Sequence, residues 1–81
     1  MKAVIYTTPV CPYCRSAKEL LNARGVSFEE VDVSGSPDLR RSLTEKSGGR
    51  TTVPQIFFGE EHIGGYDDLV EYFRKKEEGL P

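Results

Sequence analysis

The order in which strand-like and helix-like segments follow one another limits the fold of this chain more than any other feature of its sequence. The first half alternates strand, helix, strand and helix, and a strand–helix–strand unit makes its two strands parallel. The second half places two short strand patterns on either side of Gly59–Glu60, which favours an antiparallel hairpin, and closes with a helix. We therefore predict an α/β fold in the order βαβαββα, with a mixed four-stranded sheet and three helices.

Apolar patterning and the positions of proline and glycine set the boundaries of these segments. The predicted strands cover residues 3–7, 27–33, 53–58 and 61–63. The first two helices should begin at Pro12 and Pro37, because proline suits the first helical position, and the last should begin within residues 64–68. The second helix is mostly polar, so we expect it to pack lightly, with Leu39 and Leu43 as its inward face.

Length and charge exclude several classes of function. With 81 residues, the chain is predicted to form one domain over residues 1–81, with room for a shallow groove but hardly for a deep cavity. The net charge of −2, without long runs of like charge, favours neither nucleic-acid binding nor membrane binding. No apolar run has the length of a signal peptide or a membrane span, so we expect the protein in the cytoplasm. We also expect it to be a monomer.

Cys11 and Cys14 are the strongest chemical signal in the chain. A reducing compartment does not favour a structural disulfide, and so short a loop would restrict the unfolded chain very little. The pair is therefore catalytic, metal-binding or incidental. A zinc site needs about four ligands, and the chain adds only His62, so no metal site is predicted. We expect His62 to be an exposed residue of an edge strand and give it no role.

The position of the two cysteines favours the catalytic interpretation. Cys11 directly precedes the helix that begins at Pro12, where free backbone N–H groups and the positive end of the helix dipole favour a thiolate. Cys14 lies one turn further along, close enough to attack a mixed disulfide formed on Cys11. The spacing predicts Cys11 as the nucleophile and Cys14 as the resolving thiol, with Tyr13 as an aromatic wall of the site.

Four strands with helices on both faces form a thioredoxin-like layout, and three sequence motifs narrow the resemblance further. The motifs are Cys11-Pro12-Tyr13-Cys14, Thr52-Val53-Pro54-Gln55-Ile56-Phe57 and Gly64-Gly65-Tyr66-Asp67-Asp68-Leu69. Together they resemble those of the glutaredoxins, over residues 2–76. The resemblance implies a glutathione-dependent thiol–disulfide oxidoreductase that reduces protein disulfides and glutathionylated proteins. It also implies glutathione as co-substrate, no bound cofactor and a cis peptide bond before Pro54.

The resemblance further implies roles in binding glutathione, an extended tripeptide with two carboxylates and one ammonium group. The backbone of Val53 would pair with it as an added strand, and Thr52 would border the same groove. The N–H groups of Tyr66 and Asp67 would meet the γ-glutamyl carboxylate, and the carboxylate of Asp67 or Asp68 would take the ammonium. The implied glutathione-binding residues are thus Tyr13, Thr52, Val53, Pro54, Tyr66 and Asp67.

The sequence lacks one positively charged residue that the family pattern often contains. Many glutaredoxins carry a lysine shortly before the first cysteine, where it supports the thiolate and the glycine carboxylate of glutathione, whereas residues 7–10 here hold none. Arg40, Arg41 and Arg50 could supply that charge, and Arg50 is kept as a candidate.

Two other functions stay open at this point. One is a redoxin of the same shape that is reduced by thioredoxin reductase. The other is an iron-sulfur carrier, in which two chains share a [2Fe-2S] cluster ligated by Cys11 and glutathione thiols. Pro12 speaks against the carrier, because cluster-binding relatives more often have a small flexible residue after the first cysteine.

Overall fold

Within residues 2–78, which the computed structural model of the protein describes, the chain forms a four-stranded sheet flanked by three helices. In chain order the elements are β1 (Lys2–Thr7), α1 (Pro12–Ala23), β2 (Ser27–Asp32), α2 (Pro37–Lys46), β3 (Gln55–Phe58), β4 (Glu61–Gly64) and α3 (Tyr66–Glu78). The predicted order βαβαββα is confirmed. No helix in this range is long and apolar enough to cross a membrane.

The central position of β1 joins the parallel and antiparallel parts of the sheet. The strands lie in the order β2-β1-β3-β4, and β1 runs parallel to β2 and antiparallel to β3. β4 pairs antiparallel with β3, which confirms the mixed sheet. Tyr6, near the end of β1, pairs with Gln55 at the start of β3. The loop that follows β1 and the loop that precedes β3 therefore emerge at the same edge of the sheet.

Two apolar clusters, one on each face of the sheet, hold the fold together. Successive side chains of a strand point to opposite faces, so β1 and β3 contribute to both clusters. The larger cluster packs α1 and α3 onto the sheet through Ala3, Ile5, Ala17, Leu21, Ile56, Phe58, Leu69 and Phe73. The smaller cluster, on the face covered by α2, contains Tyr6, Val33, Leu43 and Phe57.

Three expectations about these elements need correction. β3 begins at Gln55, two residues later than predicted, because Pro54 has no N–H to give to a strand partner. β2 ends at Asp32, one residue earlier than predicted. Leu39 does not face inward: it is 38% exposed, whereas Leu43 is buried, so only one turn of α2 packs against the sheet.

Candidate active site

Cys11 caps the N-terminus of α1 with its own side chain. Pro12 occupies the start of the helix, and the Sγ atom of Cys11 accepts a hydrogen bond from the Cys14 N–H at 3.1 Å. A disulfide joins Cys11 and Cys14, whose Cα atoms are 5.2 Å apart. In the reduced protein, the same N–H and the positive end of the helix dipole would favour a thiolate on Cys11.

The two cysteine residues differ in their exposure to solvent. Cys14 is only 2% exposed, whereas Cys11 is partly exposed. An incoming disulfide can therefore reach Cys11 before Cys14, which supports the predicted order of nucleophile and resolving thiol. As a separate observation, among residues 2–78 no group of three or more His, Cys, Asp or Glu side chains could hold a metal ion.

The loop before β3 brings free backbone groups beside the disulfide. The Val53–Pro54 peptide bond is cis, as the resemblance implies, and the Val53 carbonyl oxygen lies 3.9 Å from the Cys11 Sγ. The N–H of Val53 has no hydrogen-bond partner within the described range of residues 2–78. An extended peptide that reaches Cys11 could therefore pair with the main chain of Val53 as an added strand.

A shallow groove of about 270 Å³, here called the Val53 groove, runs from Val53 to the first turn of α3. Tyr13 forms one wall: it is 63% exposed, and its ring centroid lies 6.1 Å from that of Tyr66. The structure brings all the predicted glutathione-binding residues into the lining of this groove, together with three others. The full lining is Tyr13, Arg50, Thr52, Val53, Pro54, Gly65, Tyr66, Asp67 and Asp68.

The first turn of α3 supplies N–H donors and a carboxylate to the Val53 groove. The Leu69 N–H donates to the Gly65 carbonyl at 3.0 Å, so the N–H groups of Tyr66 and Asp67, which come earlier, have no acceptor within the helix. The Asp68 carboxylate accepts from the Gly65 N–H at 2.9 Å, as in a capping box. The Asp67 side chain is exposed, and its carboxylate has no hydrogen bond or ion pair with any residue from 2 to 78. Of the two candidate carboxylates, Asp67 is therefore the free one.

Gly64 allows Asp68 to take this position. Its φ angle is +122°, a backbone conformation that residues with a Cβ atom rarely adopt. A Cβ atom on residue 64 would also collide with the Asp68 carboxylate. The first glycine of the Gly64–Gly65 pair is thus required both for the backbone conformation and for the approach of Asp68.

Arg50 is the candidate cation that reaches the Val53 groove. Its Nη1 atom lies 3.3 Å from Asp68 Oδ2, and both side chains are about half exposed. Arg40 and Arg41 lie on α2 and border a different depression, and Arg41 pairs with Asp38. Of the three arginines proposed to replace the absent lysine, the structure brings only Arg50 to the groove wall.

We expect ionised Asp68 to stabilise the fold at neutral pH and to lose this effect in acid. The Gly65 N–H lowers the pKa of Asp68, partial burial opposes this shift, and Arg50 lowers the pKa further. A carboxylate of this kind contributes stability above its unfolded pKa of about 3.9, and the contribution disappears as the pH falls through the lower folded value. Because the carboxylate is about half exposed and solvent screens its charge, Asp68→Asn should lower the free energy of unfolding by no more than about 1 kcal/mol at neutral pH, and by less in acid.

Urea unfolding at about pH 7, 5 and 3 measures this pH dependence. Asp67→Asn is the matched control, because it removes the neighbouring carboxylate without breaking the contacts to Gly65 and Arg50. The difference between Asp68→Asn and the unchanged protein should shrink towards the lowest pH. A difference that stays constant over this range would contradict the role of the ionised carboxylate.

His62 is not the exposed strand residue that the sequence suggests, because its ring is partly buried and hydrogen-bonded. Its Nε2 atom lies 2.6 Å from Gln55 Oε1, and the ring stacks on Phe57 with centroids 4.8 Å apart. Burial lowers the pKa of His62, and the positive charge of Arg50 lowers it further. Gln55 is fully buried and also donates to Thr52 Oγ1 at 3.3 Å. No role for Gln55 was predicted from the sequence. The one indication there was a polar glutamine in an otherwise apolar strand.

A second groove, which shares no lining residue with the Val53 groove, borders the disulfide. It has a volume of about 580 Å³, and its walls include Val10, Arg15, Lys18 and Glu30. Val10 is 92% exposed, and Lys18 pairs with Glu30 at 3.0 Å. The Thr7 hydroxyl donates to the same carboxylate and, with Lys18, lowers the pKa of Glu30. The disulfide therefore borders a second groove that has room for part of a bulky substrate.

Comparison with known proteins leads to the same family as the motifs. The family model described as Glutaredoxin matches residues 3–63. A glutaredoxin of Pseudomonas aeruginosa is 58% identical over 66 residues, which cover 82% of this chain and 77% of the relative. The solution structure of glutaredoxin from Brucella melitensis is 48% identical with a TM-score of 0.75, covering 98% of this chain and 82% of that one. A crystal structure of a buckwheat glutaredoxin–glutathione complex is 28% identical with a TM-score of 0.81, covering 91% of this chain and 69% of that one.

The sheet, the cysteine pair and these comparisons agree with one another. Cys11 and Cys14 form a pair that can pass between dithiol and disulfide, with the more accessible sulfur at the start of a helix. The structural neighbours share the thioredoxin-like arrangement of four strands and three helices. This chain therefore belongs to the glutaredoxin family and is a thiol–disulfide oxidoreductase.

Proposed function

We propose that this protein uses glutathione to reduce glutathionylated proteins and protein disulfides, with Cys11 as the nucleophile. The observation that carries the proposal is the Val53 groove, which starts beside the Cys11 sulfur and ends at the free N–H groups of α3. The buckwheat relative with a similar fold is a glutathione complex, which supports the same ligand for this chain.

Each polar part of glutathione has a complementary group in the Val53 groove. The N–H and carbonyl of Val53 can pair with the cysteine unit of the tripeptide. The N–H groups of Tyr66 and Asp67 can bind the γ-glutamyl carboxylate, and the free Asp67 carboxylate can bind the ammonium group. Arg50 adds positive charge to the groove wall, where it can attract a carboxylate although it also pairs with Asp68.

Reduction of a glutathionylated protein needs only Cys11. Its thiolate attacks the glutathione sulfur of the mixed disulfide, so that a Cys11–glutathione disulfide forms and the protein thiolate leaves and takes up a proton. The thiolate of a second glutathione then attacks the glutathione sulfur on Cys11. This step releases oxidised glutathione and restores the Cys11 thiolate.

Reduction of a protein disulfide needs both cysteines. The Cys11 thiolate attacks one sulfur of the substrate and forms a mixed disulfide, and the Cys14 thiolate then attacks the Cys11 sulfur. The substrate leaves as a dithiol, and two glutathione molecules reduce the Cys11–Cys14 disulfide to give oxidised glutathione. The second groove, beside Val10, gives a polypeptide substrate room next to the disulfide.

We also place this activity in the cytoplasm and propose that the protein acts as a monomer. A Cys11–Cys14 pair that must return to the dithiol form needs a reducing compartment. The net charge of −2, without long runs of like charge, favours neither nucleic-acid binding nor membrane binding.

Coupled NADPH oxidation tests the reductant. With a glutathionylated peptide as substrate, glutathione plus glutathione reductase should support much faster turnover than thioredoxin reductase alone, because glutathione fits the groove. Faster turnover with thioredoxin reductase would overturn the proposal in favour of a redoxin. A stable visible absorption band after anaerobic iron–sulfide reconstitution, together with little turnover in either assay, would overturn it in favour of a cluster carrier.

A further inference from the structure

A chain of hydrogen bonds connects β4 to the wall of the Val53 groove. His62 Nε2 lies 2.6 Å from Gln55 Oε1, and Gln55 Nε2 donates to Thr52 Oγ1 at 3.3 Å. Gln55 is fully buried, whereas Thr52 is exposed on the groove wall. The chain thus leads from a partly buried ring, through a buried amide, to a hydroxyl group that a ligand can reach.

The donors and acceptors available give each bond its direction. The carbonyl oxygen of Gln55 can only accept, so His62 donates from Nε2, which fixes the hydrogen of the neutral ring on that nitrogen. The amide nitrogen of Gln55 then faces Thr52 as a donor. Because the Thr52 oxygen already accepts this bond, the one hydrogen of its hydroxyl is left to be donated elsewhere.

We propose that Gln55, oriented by His62, is a positioning residue that makes Thr52 a hydrogen-bond donor to an oxygen of bound glutathione. This inference rests on the proposed function, because it needs glutathione in the Val53 groove. Without Gln55, the Thr52 hydroxyl could rotate and act as donor or acceptor. With Gln55 in place, it favours the carboxylate and carbonyl oxygens of the tripeptide.

The burial of Gln55 supports a role beyond packing. A buried amide is costly unless its groups are hydrogen-bonded, and no buried side-chain nitrogen or oxygen within residues 2–78 lacks a partner. An apolar side chain of the same length would fill the same space next to Ile56 without needing partners. The glutamine therefore brings an oriented donor to the groove wall, which an apolar residue could not provide.

The test compares two mixed disulfides of one peptide, one with glutathione and one with hydroxyethanethiol, which lacks the carboxylates and the ammonium group. The readout is the ratio of kcat/KM for the two substrates, because a change in the reactivity of Cys11 itself affects both. The variants are Thr52→Val, Gln55→Met, His62→Phe and the double variant with Thr52→Val and Gln55→Met. Thr44→Val, which removes a hydroxyl group bonded to the Arg40 carbonyl on α2, is the matched control.

We expect Thr52→Val to lower this ratio by about threefold to tenfold, the range for one hydrogen bond, and Thr52→Ser to restore most of the loss. Gln55→Met and His62→Phe should lower it by less, and Gln55→Met should have no further effect once Thr52→Val is present. Thr44→Val should not change it.

Three results would overturn the inference in distinguishable ways. Equal effects of Gln55→Met with and without Thr52→Val would show that Gln55 does not act through Thr52. If Gln55→Met does not fold, an unchanged ratio in either Thr52→Val or His62→Phe would overturn the inference, because the inference requires that each of these substitutions lowers the ratio. A protein with its natural sequence that shows no preference for the glutathione substrate would overturn the proposed function itself, and the inference with it.

Discussion

Cys11→Ser is expected to lower the rate at which the protein reduces a glutathionylated peptide by at least about 1,000-fold. The serine hydroxyl is not ionised at neutral pH and cannot form a disulfide, so no covalent intermediate can be made at this position. Cys14 cannot take over the reaction, because it is only 2% exposed and lies inside the first turn of α1.

Chromatography of the released peptide at a fixed glutathione concentration measures this loss. Asn22→Ala, at the far end of α1, is the control for damage to the helix and should keep the full rate. Thermal unfolding of Cys11→Ser shows whether the fold survives. If a folded Cys11→Ser protein kept a tenth or more of the rate, about a hundredfold above the expectation, the nucleophile would have to be a different group.

Cys14→Ser should separate the two proposed reactions, reduction of glutathionylated peptides and reduction of protein disulfides. Reduction of a glutathionylated peptide should stay within about threefold of the unchanged protein, because that cycle uses only Cys11 and the backbone N–H of residue 14 still reaches the Cys11 sulfur. Reduction of a disulfide within a protein should fall by at least about 100-fold, because no second thiol is present to resolve the mixed disulfide on Cys11.

Both rates of Cys14→Ser are measured on one preparation, so that differences in folding or concentration cancel. Intact-protein mass spectrometry should also show the protein substrate trapped on Cys11 of this variant. Equal loss of the two reactions would contradict the division of labour between the cysteines. Full retention of both would show that glutathione, rather than Cys14, resolves the mixed disulfide with proteins.

Features of the fold that are determined by short stretches of sequence could be predicted. Cys11 before Pro12 is a local signal for a helix start, and the structure shows Cys11 as the cap of α1. Alternation of segments and the link at Gly59–Glu60 were enough for the mixed sheet, because they determine which strands can be parallel. The cis bond before Pro54 required the family resemblance, since the sequence around a proline does not by itself specify the isomer.

The features that depend on distant side chains could not be predicted. The sequence offered three arginines for the absent lysine, and only folding shows that Arg50 reaches Asp68 across 18 positions. His62 looked like a solvent-exposed residue because nothing next to it in sequence indicates that Gln55 would meet its ring. The choice between Asp67 and Asp68 likewise depended on which carboxylate turns back to Gly65.

Brief alkylation of the fully reduced protein with iodoacetamide at neutral pH, followed by peptide mapping, is the decisive experiment for the claim on which the proposed mechanism depends. That claim is that the helix start holds Cys11 as the reactive thiolate, beside a groove that accepts glutathione. We expect Cys11 to be modified first while Cys14 stays free, and S-methylglutathione, which cannot exchange, to slow the modification of Cys11. Modification of Cys14 first, or a rate at Cys11 that S-methylglutathione leaves unchanged, would contradict that claim.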